Sequence, residues 1–290
     1  MALTKRSPCK VNLLLNVLGR RSDGFHELET VMHPIRIYDE LTFERVVEGI
    51  ELSCSEPSLP TGGSNLVYRA AALFLQTAQI KEGVRIRLEK RIPLAAGLGG
   101  GSGNAATTLL GLNELFGSPL ASEQLAALAA SLGSDVPFFL QDRPALATGR
   151  GEKIQSLDFF PALHSAAFLL VHPGFGIASA WAYQQLQRFP AAVNGRAGRA
   201  CNLVSLLQTE DLRTAGSQFY NSLEFPALEK YPLLAVFQEF FRNNGADATL
   251  MSGSGSTTFA LLESGPAAET LLEKFKTKFG SSNWTAVVPV

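Results

Sequence analysis

The chain has 290 residues, 46% of them hydrophobic and 18% charged, a globular balance that excludes an intrinsically disordered protein. A formal net charge of −1 offers no general attraction to nucleic acid, and three scattered cysteines (Cys9, Cys54, Cys201) exclude a disulfide framework or a cysteine-rich zinc site. No apolar run is long enough to span a bilayer and no secretory signal is read, so a soluble cytoplasmic protein without a nucleic-acid or membrane partner is expected.

In chain order, Val11, Leu13, Leu15 and Val17 alternate with Lys10, Asn12, Leu14 and Asn16, which predicts a strand over 7–18 with one mostly polar face. A polar tip at 19–26 leads into one or two strands at 28–47 and another at 50–54. Residues 65–79 read as a helix rich in Ala and Leu, and 84–90 as an alternating strand. A glycine run then leads into a helix expected at 104–116. In 122–132, Leu125, Leu128, Ala129 and Leu132 fall at helical spacing, with Ser122 as the N-cap and Gly133 after the last turn. Val136 precedes Pro137 and is expected in extended backbone, which holds the turn at Asp135.

The second half predicts a buried strand at 166–171, a helix at 178–186 and a strongly apolar helix at 231–243. Strand 249–251, a Gly-Ser loop at 252–256, strand 257–262, helix 266–278 and strand 285–288 close the chain. A strand–helix unit followed by strand–strand–helix–strand resembles a split βαβ sandwich. The expectation is an α+β protein of two domains, 1–155 and 156–290.

Pro93-Leu94-Ala95-Ala96-Gly97-Leu98-Gly99-Gly100-Gly101-Ser102-Gly103-Asn104-Ala105-Ala106 is the most informative stretch, with five glycines in the seven residues 97–103. Between a strand and a helix, glycines let the backbone approach an anion and leave first-turn N–H groups facing it. The P-loop pattern is absent, because no Gly-Lys-Ser/Thr occurs. The dinucleotide pattern is met only loosely by Gly101-x-Gly103-x-x-Ala106, and a helix stands where that model needs an acid ending a second strand.

The run resembles the phosphate-binding motif of the GHMP kinase superfamily. Two further stretches, Ser7-Pro8-Cys9-Lys10-Val11-Asn12-Leu13 and Met251-Ser252-Gly253-Ser254-Gly255-Ser256-Thr257, resemble its first and third motifs. Within it, Arg20-Arg21-Ser22-Asp23-Gly24-Phe25-His26-Glu27-Leu28, Leu132-Gly133-Ser134-Asp135-Val136-Pro137-Phe138, Ala147-Thr148-Gly149-Arg150-Gly151-Glu152, Val171-His172-Pro173-Gly174 and Asn221-Ser222-Leu223-Glu224 resemble the branch acting on a cytidylyl-methylerythritol. The resemblance implies the GHMP kinase fold, with an N-terminal domain like ribosomal protein S5 and a C-terminal ferredoxin-like split βαβ domain. It also implies an ATP-dependent kinase with Mg²⁺, phosphorylating a tertiary 2-hydroxyl in the non-mevalonate isoprenoid pathway, in a cleft between the halves. The expected state is a monomer or weak homodimer.

By that resemblance, Asp135 is the base that takes the hydroxyl proton, and Lys10 stabilises charge on the phosphoryl group. Asn65, Lys90 and residues 93–103 hold ATP, with Ser102 the hydroxyl that reaches phosphate or Mg²⁺. Asn12, Phe25, His26, Ser179 and Tyr183 recognise the cytidylyl substrate, and Gly253 and Ser254 close over its diphosphate. No residue is named as a direct metal ligand. Phe25 stands where relatives often carry Tyr, and Gly103 where they commonly carry Ser. Another GHMP kinase, of the homoserine or mevalonate type, and a non-catalytic nucleotide-binding relative are the alternatives.

Overall fold

The computed structural model describes residues 2–193, 195–209 and 211–290. Its first elements are β1 (Leu3–Arg20), β2 (His26–Val46), β3 (Ile50–Cys54), α1 (Leu66–Thr77), β4 (Gly83–Glu89), α2 (Gly100–Leu115), α3 (Ser122–Leu132), β5 (Ala145–Gly149) and β6 (Lys153–Ser156). Then follow β7 (Ala167–His172), α4 (Ser179–Gln185), α5 (Arg199–Thr209), α6 (Leu212–Gly216), β8 (Tyr220–Asn221), α7 (Glu224–Lys230), α8 (Pro232–Asn243), β9 (Ala248–Met251), β10 (Thr258–Leu262), α9 (Gly265–Phe279) and β11 (Trp284–Pro289). The chain divides into two units. The first comprises the segment up to Cys9, Ile37–Ile92 and Gly99–Asp142; the second comprises Lys10–Arg36, Pro93–Leu98 and Arg143–Val290.

In the first unit β3 pairs with β4 in parallel, and β4 pairs antiparallel with the far half of β2, Leu41 opposite Leu88 and Phe43 opposite Ile86. Helices α1, α2 and α3 pack together, and Phe43, Phe74, Leu109, Leu112 and Phe138 are fully or almost fully buried. Each such side chain contributes about 1.5–3 kcal/mol on leaving water.

In the second unit β7, β9, β10 and β11 form an antiparallel sheet in the order β11-β7-β10-β9. That is the expected ferredoxin-like pattern, with α4 to α7 inserted between β7 and the sheet-covering helix α8. Phe237 and Phe241 of α8 and Leu271 and Phe275 of α9 close one face, against Leu169, Val171, Ala260 and Leu262. The near half of β2 pairs with β5, and β5 with β6. Leu14 and Leu15 of β1 lie beside β8 in parallel.

Four local expectations change. Strand β1 is buried on both faces from Cys9 to Val17, so its polar face is interior rather than solvated. Helix α2 starts at Gly100, inside the glycine run, because packing selects the helix against the glycines' backbone entropy. The N-cap of α3 is Ala121, whose N–H donates to Gln124 Oε1 at 2.9 Å, and Ser122 is the first helical residue. Val136 is in α-type backbone (φ −64°, ψ −42°), since it opens a short 3₁₀ turn at Pro137–Leu140 and its N–H is taken by Gly133 O. The burial of Val136, Phe138 and Phe139 offsets the steric penalty before proline.

Candidate active site

Two neighbourhoods hold most of the residues singled out by sequence, one in each unit. In the second unit, β1 carries Lys10 and Asn12 two positions apart and so on one face, at 3% and 2% exposure. Lys10 Nζ donates to Asn12 Oδ1 at 2.5 Å and to Gly97 O at 3.1 Å. The same Gly97 carbonyl accepts Ser252 Oγ at 3.0 Å, and Ser252 Oγ accepts the Asn12 N–H at 3.3 Å. A Cβ on Gly97, where φ is +76°, would lie 2.0 Å from Ser252 O, so only glycine permits this approach.

Thr257 N donates to Ala96 O and Ile177 N to Ala95 O, which ties the segment 93–98 to the Gly-Ser loop and to the approach to α4. Asn221 Nδ2 donates to both Met251 O and Gly253 O at 2.7 Å and pins the start of the loop. Ser179 and Ser254 share a hydrogen bond of 2.9 Å. At the start of β2, His26 stacks on Tyr183 of α4, with ring centroids 5.3 Å apart. Burial, and then the charge of Arg20, push the His26 imidazole below its usual value. It is therefore neutral near pH 7, one nitrogen donating and the other accepting. Phe25 is 50% exposed, with the Arg150 guanidinium 4.6 Å from its ring centre.

In the first unit, Gly99 caps α2 in left-handed backbone (φ 69°) and no side chain caps the helix. The N–H groups of Gly100, Gly101 and Ser102 belong to its first turn, which has no intrahelical acceptors for them and carries the positive end of the dipole. A Cβ on Gly103 would lie 2.5 Å from Pro8 O, so a serine would not fit this backbone.

Behind this turn Lys90 is buried against the Asp39 carboxylate, and it reaches Asn104 Oδ1 at 3.2 Å. Asp39 also accepts the N–H groups of Arg91 and Ile92 and the amide of Asn104, whose nitrogen is shared with Ser7 Oγ. Lys90 is thus a strut of the loop's entry, and Asn65 is the N-cap of α1, its Oδ1 accepting Val67 N at 2.8 Å. Asp135 is part-buried in the turn between α3 and the 3₁₀ segment.

Residues the sequence reading missed are Asp39, Asn104, Thr30, Asn221 and Ser252 as structural anchors. Ser252, Asn221 and Asn104 lie within segments quoted above. Asp39 and Thr30 stand among many other polar residues of β2, so the sequence offered no signal that set them apart. Among the described residues no group of three or more His, Cys, Asp or Glu could hold a metal ion. No helix there is long and apolar enough to cross a membrane.

The model of the GHMP kinases N-terminal domain matches residues 65–143, and that of the GHMP kinases C-terminal domain matches 203–281. A protein of Syntrophotalea carbinolica named 4-diphosphocytidyl-2-C-methyl-D-erythritol kinase is 39% identical over 280 residues, spanning 94% of each chain. A solved 4-(cytidine 5'-diphospho)-2C-methyl-D-erythritol kinase superposes with a TM-score of 0.78 at 36% identity, covering 99% of this chain and all of that one. The homoserine kinase of Cytophaga hutchinsonii shares the fold, with a TM-score of 0.77 at 20% identity over 99% of this chain and 93% of that one.

Proposed function

Because the chain belongs to the GHMP kinase family, among its 4-diphosphocytidyl-2-C-methyl-D-erythritol kinases, we propose that it transfers the γ-phosphoryl group of ATP to the 2-hydroxyl of that cytidylyl substrate. The product serves the non-mevalonate route to isoprenoid precursors. The homoserine type shares the fold at 20% identity, whereas the cytidylyl kinases share 36–39% of the residues, which favours the cytidylyl substrate.

The observation that carries the residue assignment is the placement of Lys10, a buried ammonium held between the Asn12 amide and the Gly97 carbonyl of the glycine run. A cation fixed at that loop stabilises charge on a transferring phosphoryl group without reorganising. Asp135 accepts the proton of the substrate hydroxyl as its oxygen attacks phosphorus, the bond to the ADP oxygen breaks and ADP leaves. The uncapped first turn of α2 receives the phosphates, with Ser102 adding a hydroxyl. An Mg²⁺ ion suits that set, since it is held largely by phosphate oxygens and water and needs no all-protein cage. Bound there, it would neutralise phosphate charge. His26, Tyr183, Phe25 and Asn12 take the cytidylyl end, and Gly253 and Ser254 its diphosphate. The enzyme works in the cytoplasm as a monomer or weak homodimer, on a small molecule, without nucleic acid or membrane.

The test is ADP release dependent on the cytidylyl substrate. Asp135→Asn and Lys10→Ala should each lower kcat by roughly 10²–10⁴-fold. Wild-type kcat in either variant would remove that residue's role, and turnover of homoserine or mevalonate in preference to the cytidylyl compound would overturn the substrate.

A further inference from the structure

The hydrogen bonds around Asn12 have one self-consistent direction. Lys10 Nζ can only donate, so the Asn12 atom that meets it is the carbonyl Oδ1. The amide nitrogen then faces Thr30 and donates to its Oγ1 at 2.8 Å. Thr30 must accept there, so its own proton goes to the Leu14 carbonyl, at 2.5 Å. Lys10, Asn12 and Thr30 are each 3% exposed or less, which leaves no solvent to replace a lost partner. The chain therefore runs from the backbone of β1, through Thr30 of β2, to the Asn12 amide and the Lys10 ammonium.

Resting on the reading above, in which Lys10 stabilises the phosphoryl group, we infer that Thr30 is a positioning residue for the reaction. Its hydroxyl holds the Asn12 amide in the one orientation that presents Oδ1 to Lys10. Valine has nearly the same shape but cannot accept the Nδ2–H or donate to Leu14 O, so both buried groups lose a partner. Asn12 then relaxes, and the ammonium loses one of its fixed acceptors.

Single-turnover phosphoryl transfer, which reaches slow variants, tests this. Thr30→Val should slow transfer by roughly tenfold to a hundredfold with little change in the KM for ATP, and Thr30→Ser should restore it to within about threefold. In an Asn12→Ala background, Thr30→Val should have no further effect on the rate, because the group it orients is gone. Its melting temperature should fall in both backgrounds, since Leu14 O loses its donor in each. A merely structural Thr30 would instead slow both backgrounds by the same factor, and that result overturns the inference, as does a serine variant no better than valine. Lys10→Ala at the wild-type rate would overturn the underlying reading. A slow Lys10→Ala beside a Thr30→Val at the wild-type rate would overturn this inference alone.

Discussion

Buried ionisable groups meet two opposite treatments, at Asp39 in the first unit and at Glu224 and His33 in the second. In the first, the fully buried Asp39 carboxylate is paired with Lys90 and accepts two backbone N–H groups and the Asn104 amide. Charge is matched by charge, next to the helix turn proposed to hold phosphate. In the second, Glu224 accepts the Met251 N–H and the Gln238 amide, and burial pushes its pKa up to about 7 against those bonds and the charge of Arg242. His33 sits among Phe159, Phe160 and Phe168, donates Nδ1–H to Pro34 O, and leaves Nε2 without a partner among the described residues. Burial takes it down to about 4. At Glu224 and His33 burial instead shifts proton affinity towards the neutral form.

The harshest way to break this contrast is Asp39→Ala, which strands the Lys90 ammonium and two N–H groups. It should lose about 3–5 kcal/mol in denaturant unfolding at pH 7. A loss under about 1 kcal/mol would mean the network is not charge-critical.

Glu224→Gln and His33→Phe sharpen it through pH. Glu224 holds its proton more tightly in the folded state, so its contribution falls as pH rises from 4.5 towards 7. His33 holds its proton less tightly when folded, so its contribution rises with pH from 4 to 6.5. The two slopes oppose each other across their overlap, and the wild type should look flatter there than either variant.

With Glu224→Gln, the pH-dependent penalty of the ionised buried carboxyl disappears, and the gain over wild type should grow by roughly 3 kcal/mol between pH 4.5 and 8. With His33→Phe, the gain should grow by about 2 kcal/mol as pH falls from 7 to 5. Unfolding curves at four pH values read both. A pH-independent difference for either variant would show that its group is not held neutral by burial.

How much of this was legible in the sequence differs from element to element. The range 122–132 of α3 and 50–54 of β3 are the predicted ones, because helical spacing and alternation are local signals. The final strand–strand–helix–strand run was readable for the same reason. The pair β5 and β6 was not read as strands, since each is short and is defined by its partner: β5 by β2 at Leu28–Met32, β6 by β5. In the candidate site, Lys10, Asn12, His26 and Tyr183 were legible through motifs, and the structure stacks His26 on Tyr183. Thr30 and Asp39 were not, because their partners lie 16 and 51 residues away.

The sequence by itself determined the α+β class, the ferredoxin-like second half and the kinase family, and marked the glycine run as a candidate anion site. Those follow from periodicity, glycine's backbone freedom and the register of several motifs along one chain. Only the tertiary structure decided that β1 buries its polar face, that α2 begins within the glycines, and which buried groups are paired and which are held neutral. Burial and the assignment of hydrogen-bond partners depend on segments distant in sequence, and a low-dielectric interior makes those partners decisive for every charge it encloses.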